Sequence, residues 1–514
     1  MTRTEASVAR AGVVGLTGGL VGAATSLLLA VLVGHTLGAA GAGPFFAMVA
    51  AVAIASNVLE LGADTGLVRH VSAALALDGG DRVRGLVGIA VRPVVTGVLL
   101  LVVTVAFAAP WLEGVAGGGR AWLVVVATAS GLAALLAVLL GAVRAMSSAL
   151  SVTLVQNVGL PLARLGLVGG CVAAGIAAGP SPWRAAALAW LAPIPAALLV
   201  ALVLLVRAER RHRGSRTPVA PTRAEGRAFW AFSAPRGVSA AAEICLEWVD
   251  VLIVGAWCSP AEAGVYAVVT RAARSAELVQ QASRLAVGPL ISAALAQGRG
   301  DDVHRLHRDV AVATTVLSWP FFVIAAYYAP SLLGLFGAEF AEGATALRIL
   351  CLGLALSYAV GAVQSILLMG GRSAAQLGNK VVCLAVNVGL NLVLVPRLGI
   401  VGAAIAWAVV LVLDAGLAWT QILVGLRLRL GLRAAGAAGL AVAAATGGIC
   451  VAVDLVGDHV ASGAVRRGSA PIAEPVAAAV VAVALIAAVG AAASSSIRAG
   501  PRRLLPRSRQ QEDA

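Results

Sequence analysis

Four apolar stretches of this chain carry charged or amide side chains at helical spacing. One holds Arg274, Glu277, Gln281 and Arg284 at steps of 3, 4 and 3, with Arg271 one turn earlier. A second holds Arg236, Glu243, Glu247 and Asp250 at steps of 7, 4 and 3. Asn57, Glu60 and Asp64 follow at steps of 3 and 4, and Gln376, Lys380, Asn387 and Asn391 at steps of 4, 7 and 4. Such steps place side chains on one helix face. The planar fork of arginine stays charged and binds phosphate oxygens in pairs. Carboxylates in apolar surroundings can take up protons or hold a cation, and amides hydrogen-bond between helices. A charge at the centre of a bilayer costs about 2.5–3.5 kcal/mol on insertion scales, so each of these groups needs a wet cavity or a partner. The competing reading is mutual neutralisation, Arg274 by Glu277 and Arg236 by Glu243.

Other chemistry has no residues to carry it. The sequence contains no GxxxxGK[ST], HExxH or GxSxG pattern, and no CxxC pair among its six cysteines, all of which sit in apolar stretches as small core residues. The six histidines show no ligand spacing. Neither a cofactor nor a metal is expected, and the chain reads as moving a substrate rather than transforming one. Arg92, Arg164, Arg348 and Asp414 stand alone in their segments and read as snorkelling or locally paired.

The elements that must position these residues follow from composition. Of 514 residues 60% are apolar, only 62 are charged, and mean hydropathy is +0.94. A soluble protein could not bury that much apolar surface, which excludes a cytosolic enzyme, a secreted disulfide scaffold and a disordered chain. A bilayer core of roughly 30 Å takes about 20 apolar residues of helix. Fourteen such stretches occur, at 11–37, 43–68, 86–109, 121–143, 152–179, 183–206, 229–257, 263–295, 310–336, 344–369, 374–395, 398–426, 434–455 and 472–497. The first lacks a small-residue cleavage site and is expected to be retained.

With a cytoplasmic N-terminus, 25 basic residues fall in cytoplasmic segments against 5 outside, and eight remain within spans. That asymmetry places both termini in the cytoplasm of a multi-pass protein of the cytoplasmic membrane. The net charge of +14 is therefore topological, and no nucleic-acid partner is implied.

The polar run 207–228 divides the chain, and the two sides repeat. Gly34, Gly43 and Phe45 match Gly255, Gly264 and Tyr266 at an offset of 221. SAALA at 72–76 recurs at 292–296, GDRV at 80–83 recurs as GDDV at 300–303, Asn157 matches Asn379, and AALAW at 186–190 matches AAIAW at 403–407. Six spans per copy means both enter from the same side, so the copies form a parallel repeat with substrate expected between them. The fold class is thus an all-α polytopic membrane protein of about 14 transmembrane helices. Residues 1–206 form an N-terminal six-helix lobe, 207–228 a basic linker and 229–426 a C-terminal six-helix lobe. Two appended helices fill 434–497, and 498–514 form a basic tail.

The stretches FSAPRGVSA (232–240), DVLIVGAWCSPAEAGVYAVVTR (250–271), LLGLFGAEF (332–340) and GNKVVCLAVNVGLNLVLVPRLGIVGAAIAW (378–407) resemble a known family. It is the polysaccharide-exporter and oligosaccharide-lipid flippase branch of the superfamily that also holds multidrug extruders and lipid II flippases. The resemblance covers roughly 10–425 and implies two lobes in a V around a central cavity, with alternating access. It also implies the substrate: a lipid-linked oligosaccharide, joined through a diphosphate, flipped outward for cell-surface polysaccharide or lipopolysaccharide biosynthesis.

On that basis Arg271, Arg274 and Arg284, with Glu277 and Gln281, are expected at the headgroup. Asn57, Glu60, Asp64, Arg236, Glu243, Glu247, Asp250 and Lys380 are expected to line the cavity or couple transport to protons or sodium. Pro161, Pro235 and Pro289 are possible hinge points. Spans thirteen and fourteen resemble, in position, the pair that shelters a lipid tail in lipid II flippases. Two alternatives remain open: a multidrug or cation antiporter of the same superfamily, and a membrane-embedded glycan polymerase or glycosyltransferase. The longest outer loop, 456–471, is short for the second. A non-transporting scaffold would leave the arginine stripes dispensable.

Overall fold

A computed structural model describes residues 3–77, 80–116, 119–147, 149–175, 181–212, 222–428 and 430–463, with 477 and 480. Helices account for nearly all of them, and no strand occurs among the described residues. The first half comprises α1 (Arg3–Glu60), α2 (Ala63–Leu77), α3 (Val83–Ala116), α4 (Gly119–Met146), α5 (Ala149–Thr153), α6 (Leu160–Ala173), α7 (Pro182–Leu191) and α8 (Pro193–His212). The second half comprises α9 (Arg223–Trp257), α10 (Pro260–Arg274), α11 (Glu277–Ala296), α12 (Gly300–Tyr327), α13 (Ala329–Gly334), α14 (Ala344–Ala359), α15 (Val363–Met369), α16 (Ser373–Leu398) and α17 (Ile400–Gln421). A further helix, α18 (Arg433–Gly463), follows.

Ten of the described helices are long and apolar enough to cross a membrane. The first of these, within α1, holds two expected spans, because Gly38 at φ +63 breaks the helix between them. Glycine reaches that conformation without a Cβ clash. Expected spans seven and eight, α9 and α10–α11, lie outside the ten. These are the two that carry the longest charged stripes. The fourteenth expected span, apart from 477 and 480, lies outside the described residues.

Several expected spans are discontinuous. The second breaks at Leu61 and Gly62, both at positive φ, and the tenth breaks at Gly361. The fifth passes through a wide π turn at Leu154–Gly159, and the eighth breaks at Ser275–Ala276. Pro161 follows the π turn directly, whereas Pro235 lies inside continuous helix. Entry into α9 is fixed by a capping box: Glu225 N–H donates to Thr222 Oγ1 at 3.2 Å, and Thr222 N–H donates to Glu225 Oε2 at 2.7 Å. The Thr222 amide and hydroxyl, followed by Arg82 at 2.9 Å, hold the Glu225 carboxyl below its usual range.

The repeat noticed in the sequence has a physical counterpart. Gly43 of α1 and Gly264 of α10 lie against each other, each facing the other's backbone nitrogen. A Cβ on Gly43 would run into the Pro260 carbonyl, and one on Gly264 into that of Ala39. Matched positions touching each other mark a local twofold relation, since only on an axis does a residue meet its own copy. Phe45 and Tyr266, the next matched pair, are both fully buried beside this contact. At the same end Glu339 Oε1 accepts from Ala39 N–H at 2.6 Å, and Gly34 admits the Phe336 carbonyl. One large hydrophobic core joins both halves there, including Phe45, Phe46, Tyr266, Phe340 and Trp407.

The six cysteines are free thiols, three of them buried. α18 docks on α12: Tyr327 and Tyr328 both donate from Oη to Asp454 at 2.8 Å, and Trp319 fills the space beside Gly439. Hydrogen bonds to charged groups contribute about 1.5–3 kcal/mol each. Asp454→Ala should therefore loosen α18 by about 2–3 kcal/mol, read as faster hydrogen exchange over 433–463 with the remaining helices unchanged. Unchanged exchange would mean that packing alone holds this helix.

Candidate functional site

A cavity of about 560 Å³ lies between the two halves. The first half contributes residues 22–27 of α1 with Phe46 and Val49, Pro161 and Arg164 of α6, and Trp190 of α7. The second half contributes Glu247 and Trp248 of α9, Thr270, Arg271 and Arg274 of α10, Ser275, and Glu277 at the start of α11.

The cations in this cavity differ in what they touch. Arg274 is more than neutralised: its guanidinium lies 2.6 Å from Glu247 and 2.8 Å from Glu277. Arg271 has no carboxylate in contact among the described residues. Its Cζ lies 3.9 Å from the ring centre of Phe46 and 4.8 Å from that of Trp248, and one Nη donates to the Ala267 carbonyl at 2.8 Å. Two aromatic faces hold the guanidinium plane while its remaining N–H donors stay available. Arg164 is likewise stacked, with Cζ 3.6 Å from the ring centre of Trp190, and its Nε is buried without a partner.

Of the expected headgroup residues, the structure thus brings Arg271, Arg274 and Glu277 together. Gln281 and Arg284 are exposed and do not line the cavity. The reason is the break at Ser275–Ala276: helical spacing keeps residues on one face only while the helix continues. Among the remaining expected residues Glu247 alone reaches the cavity. Arg236 and Glu243 are exposed and form no ion pair with each other among the described residues. Asn57, Glu60 and Asp64 sit at the break between α1 and α2, with the Asp64 backbone against Gly141 of α4.

Two further polar clusters lie within the second half. Asp250, fully enclosed, accepts from Tyr266 Oη at 3.2 Å and from Asn391 Nδ2 at 3.0 Å, with Asn387 alongside. It ties α9, α10 and α16 together. Lys380 donates to Asp414 of α17 at 2.9 Å, as does Gln364 of α15. Asp414, solitary on its own segment, is therefore the partner of the chain's only lysine. Arg164 was also solitary on its segment, and one signal pointed to it: a charge in an apolar run one turn after Pro161. Its neighbours in the cavity come from α1, α7 and α10, which the spacing of a single helix cannot reveal.

A protein-family model, MatE, matches residues 235–394, which run from α9 to α16. Among solved structures, an inward-facing multidrug resistance MATE family transporter of the MOP superfamily is similar with a TM-score of 0.60 at 13% identity. The match covers 80% of this chain and 96% of that one. Lipid II flippase MurJ in an inward closed conformation has a TM-score of 0.60 at 11% identity, over 93% of this chain and 98% of that one. The chain has the MOP fold. An outward-facing MATE family transporter of that superfamily is similar too, with a TM-score of 0.55 at 16% identity over 80% and 94% of the two chains. No curated protein matches the sequence. Within the MOP fold the site is asymmetric. At the repeat offset of 221, Arg271 and Arg274 align with Ala50 and Ala53, so the charge belongs to one copy alone.

Proposed function

We propose that this protein is a flippase that carries a lipid-linked oligosaccharide, joined through a diphosphate, from the cytoplasmic to the outer leaflet of the cytoplasmic membrane. The product would feed cell-surface polysaccharide. The observation that carries this reading is Arg271, a guanidinium in the cavity wall, stacked on Phe46 and Trp248 with no carboxylate in contact among the described residues. A buried cation whose hydrogen-bond donors no carboxylate meets is unfavourable when the cavity is empty and is relieved by an anion. A diphosphate is such an anion, and its oxygens suit the guanidinium fork.

In this reading 1–206 and 229–426 are the two lobes, and both termini are cytoplasmic. The Gly43–Gly264 contact then closes the outer side, and the cavity serves substrate from the cytoplasmic side. Rocking of the lobes about the repeat axis would expose it outward. The 93% coverage of this chain by the MurJ fold, against 80% by the multidrug transporters, also favours a flippase.

A multidrug or cation antiporter is the second reading, favoured by the MatE match and by Glu247 and Glu277 in the cavity wall. Arg274 offsets one of these carboxylates, and with Arg271 and Arg164 counted the five charged groups of the cavity wall sum to +1, which disfavours a cationic drug. For the coupling ion, Asp250 is the strongest of the acidic candidates, because it is buried with only neutral donors, Tyr266 Oη–H and Asn391 Nδ2–H, and no cationic side chain on it among the described residues.

The test is reconstitution in vesicles with a fluorescent lipid-linked oligosaccharide. Outward flipping in vesicles with the protein, and not in protein-free vesicles, is expected, together with a cytoplasmic-side build-up of the lipid-linked intermediate in cells lacking the protein. Efflux of cationic dyes without flipping would favour the antiporter. Flux should respond to a proton or sodium gradient, and Asp250→Asn should remove that response. A rate independent of both ions would remove the coupling role.

A further inference from the structure

We infer that Arg164 is a second anion-binding group, lining the same cavity as Arg271 from the other half, so that the cavity grips one phosphate of a diphosphate from each half of the molecule. This rests on the flippase reading and adds to it the residue that sets selectivity for a diphosphate over a monophosphate.

Eight basic residues lie within the expected spans, and their surroundings separate them. Arg92, Arg236 and Arg284 are exposed. Arg348 is exposed too, and bonds the Ala326 carbonyl. Lys380 is paired with Asp414, and Arg274 with two glutamates. Only Arg164 and Arg271 line the cavity without an ion-pair partner among the described residues. Both are held the same way, flat on an aromatic ring: Arg164 on Trp190 and Arg271 on Phe46. Stacking covers a guanidinium face and leaves its edge, where the donors are, free to meet oxygen. The buried, unpartnered Nε of Arg164 is one such donor.

The two arginines come from different halves, α6 and α10, and share one cavity of about 560 Å³. Cations lining one cavity repel more strongly as its walls approach with no anion between them, so the empty site resists closing. A diphosphate between them turns repulsion into attraction on both sides. A monophosphate satisfies one arginine fully and leaves the other uncompensated. Binding of the correct headgroup is thereby linked to the relative position of the halves, which is what alternating access requires. Arg164 carries the inter-half part of that linkage, because Arg271 and Arg274 both sit on α10.

The test uses the full chain purified in detergent, with a short-chain prenyl diphosphate and the matching prenyl monophosphate as probes. With charge-assisted hydrogen bonds at about 1.5–3 kcal/mol, the diphosphate should bind the unaltered protein at least about tenfold more tightly than the monophosphate. Arg164→Gln should bring diphosphate affinity down to the monophosphate level and change monophosphate affinity by less than about twofold. Arg271→Gln should weaken both probes. Arg164→Lys keeps the charge without the fork and should show an intermediate preference, which also serves if the Gln variant is unstable.

Equal weakening of both probes by Arg164→Gln, or no weakening of either, would overturn the assignment and leave the flippase reading intact. Failure of the unaltered protein to bind either probe would overturn that reading, and the assignment with it.

Discussion

Arg271→Ala abolishes transport and leaves the protein folded in the membrane. The expectation rests on how little the rest of the molecule asks of this side chain. Its one hydrogen bond goes to Ala267 of its own helix, and its other contacts are the faces of Phe46 and Trp248. Removing it takes away a buried charge that costs about 2.5–3.5 kcal/mol to insert, so the fold should lose little stability or gain some. The substrate loses a bidentate partner, about 3–6 kcal/mol for two charge-assisted bonds, which lowers transport by two to four orders of magnitude. Arg271→Lys should fall between, since it keeps charge without the fork.

Arg274→Ala differs in kind. It leaves Glu247 and Glu277 without their cation, so thermal stability and transport should fall together. Thermal unfolding in detergent beside the flipping assay separates the two cases. Normal flipping by Arg271→Ala would place the headgroup elsewhere.

The second large effect is expected at the Gly43–Gly264 contact. A methyl group on Gly264 would overlap the Ala39 carbonyl and the Gly43 nitrogen. Both obstacles are backbone, which cannot swing aside as a side chain can. Relief therefore requires α1 and α10 to separate, at about 1–3 kcal/mol for overpacking of this kind. Two transport conformations commonly differ by only a few kcal/mol, so the same figure shifts their populations by about five- to 150-fold. Gly264→Ala should slow transport and expose residues closed off at this end. Ala39, 2% exposed, is the reporter: an Ala39→Cys thiol should react with an impermeant maleimide in the Gly264→Ala background and stay protected in its absence. Equal protection in both backgrounds would show that the contact does not control closure.

Much of this molecule is determined by sequence alone. Hydropathy dictates an all-helical membrane protein, because a bilayer leaves no other way to satisfy backbone groups in segments of this length. The repeat places matched glycines in the two copies, and the same two glycines meet in the fold. Arg271, Arg274, Glu277 and Glu247 are identifiable as charges that an apolar segment would not carry without use.

What required the tertiary structure was the sorting of those charges. Periodicity describes one continuous helix, and the break at Ser275–Ala276 takes Gln281 and Arg284 away from Arg271 despite the correct spacing. Partnership across helices is invisible to spacing altogether. Lys380 finds Asp414, Asp250 finds Tyr266 and Asn391, and Arg274 takes both cavity glutamates. Arg164, alone on its own segment, comes to share a cavity with Arg271. An ion pair is set by distance in space, and in a bundle of helices that distance is decided by which faces pack together.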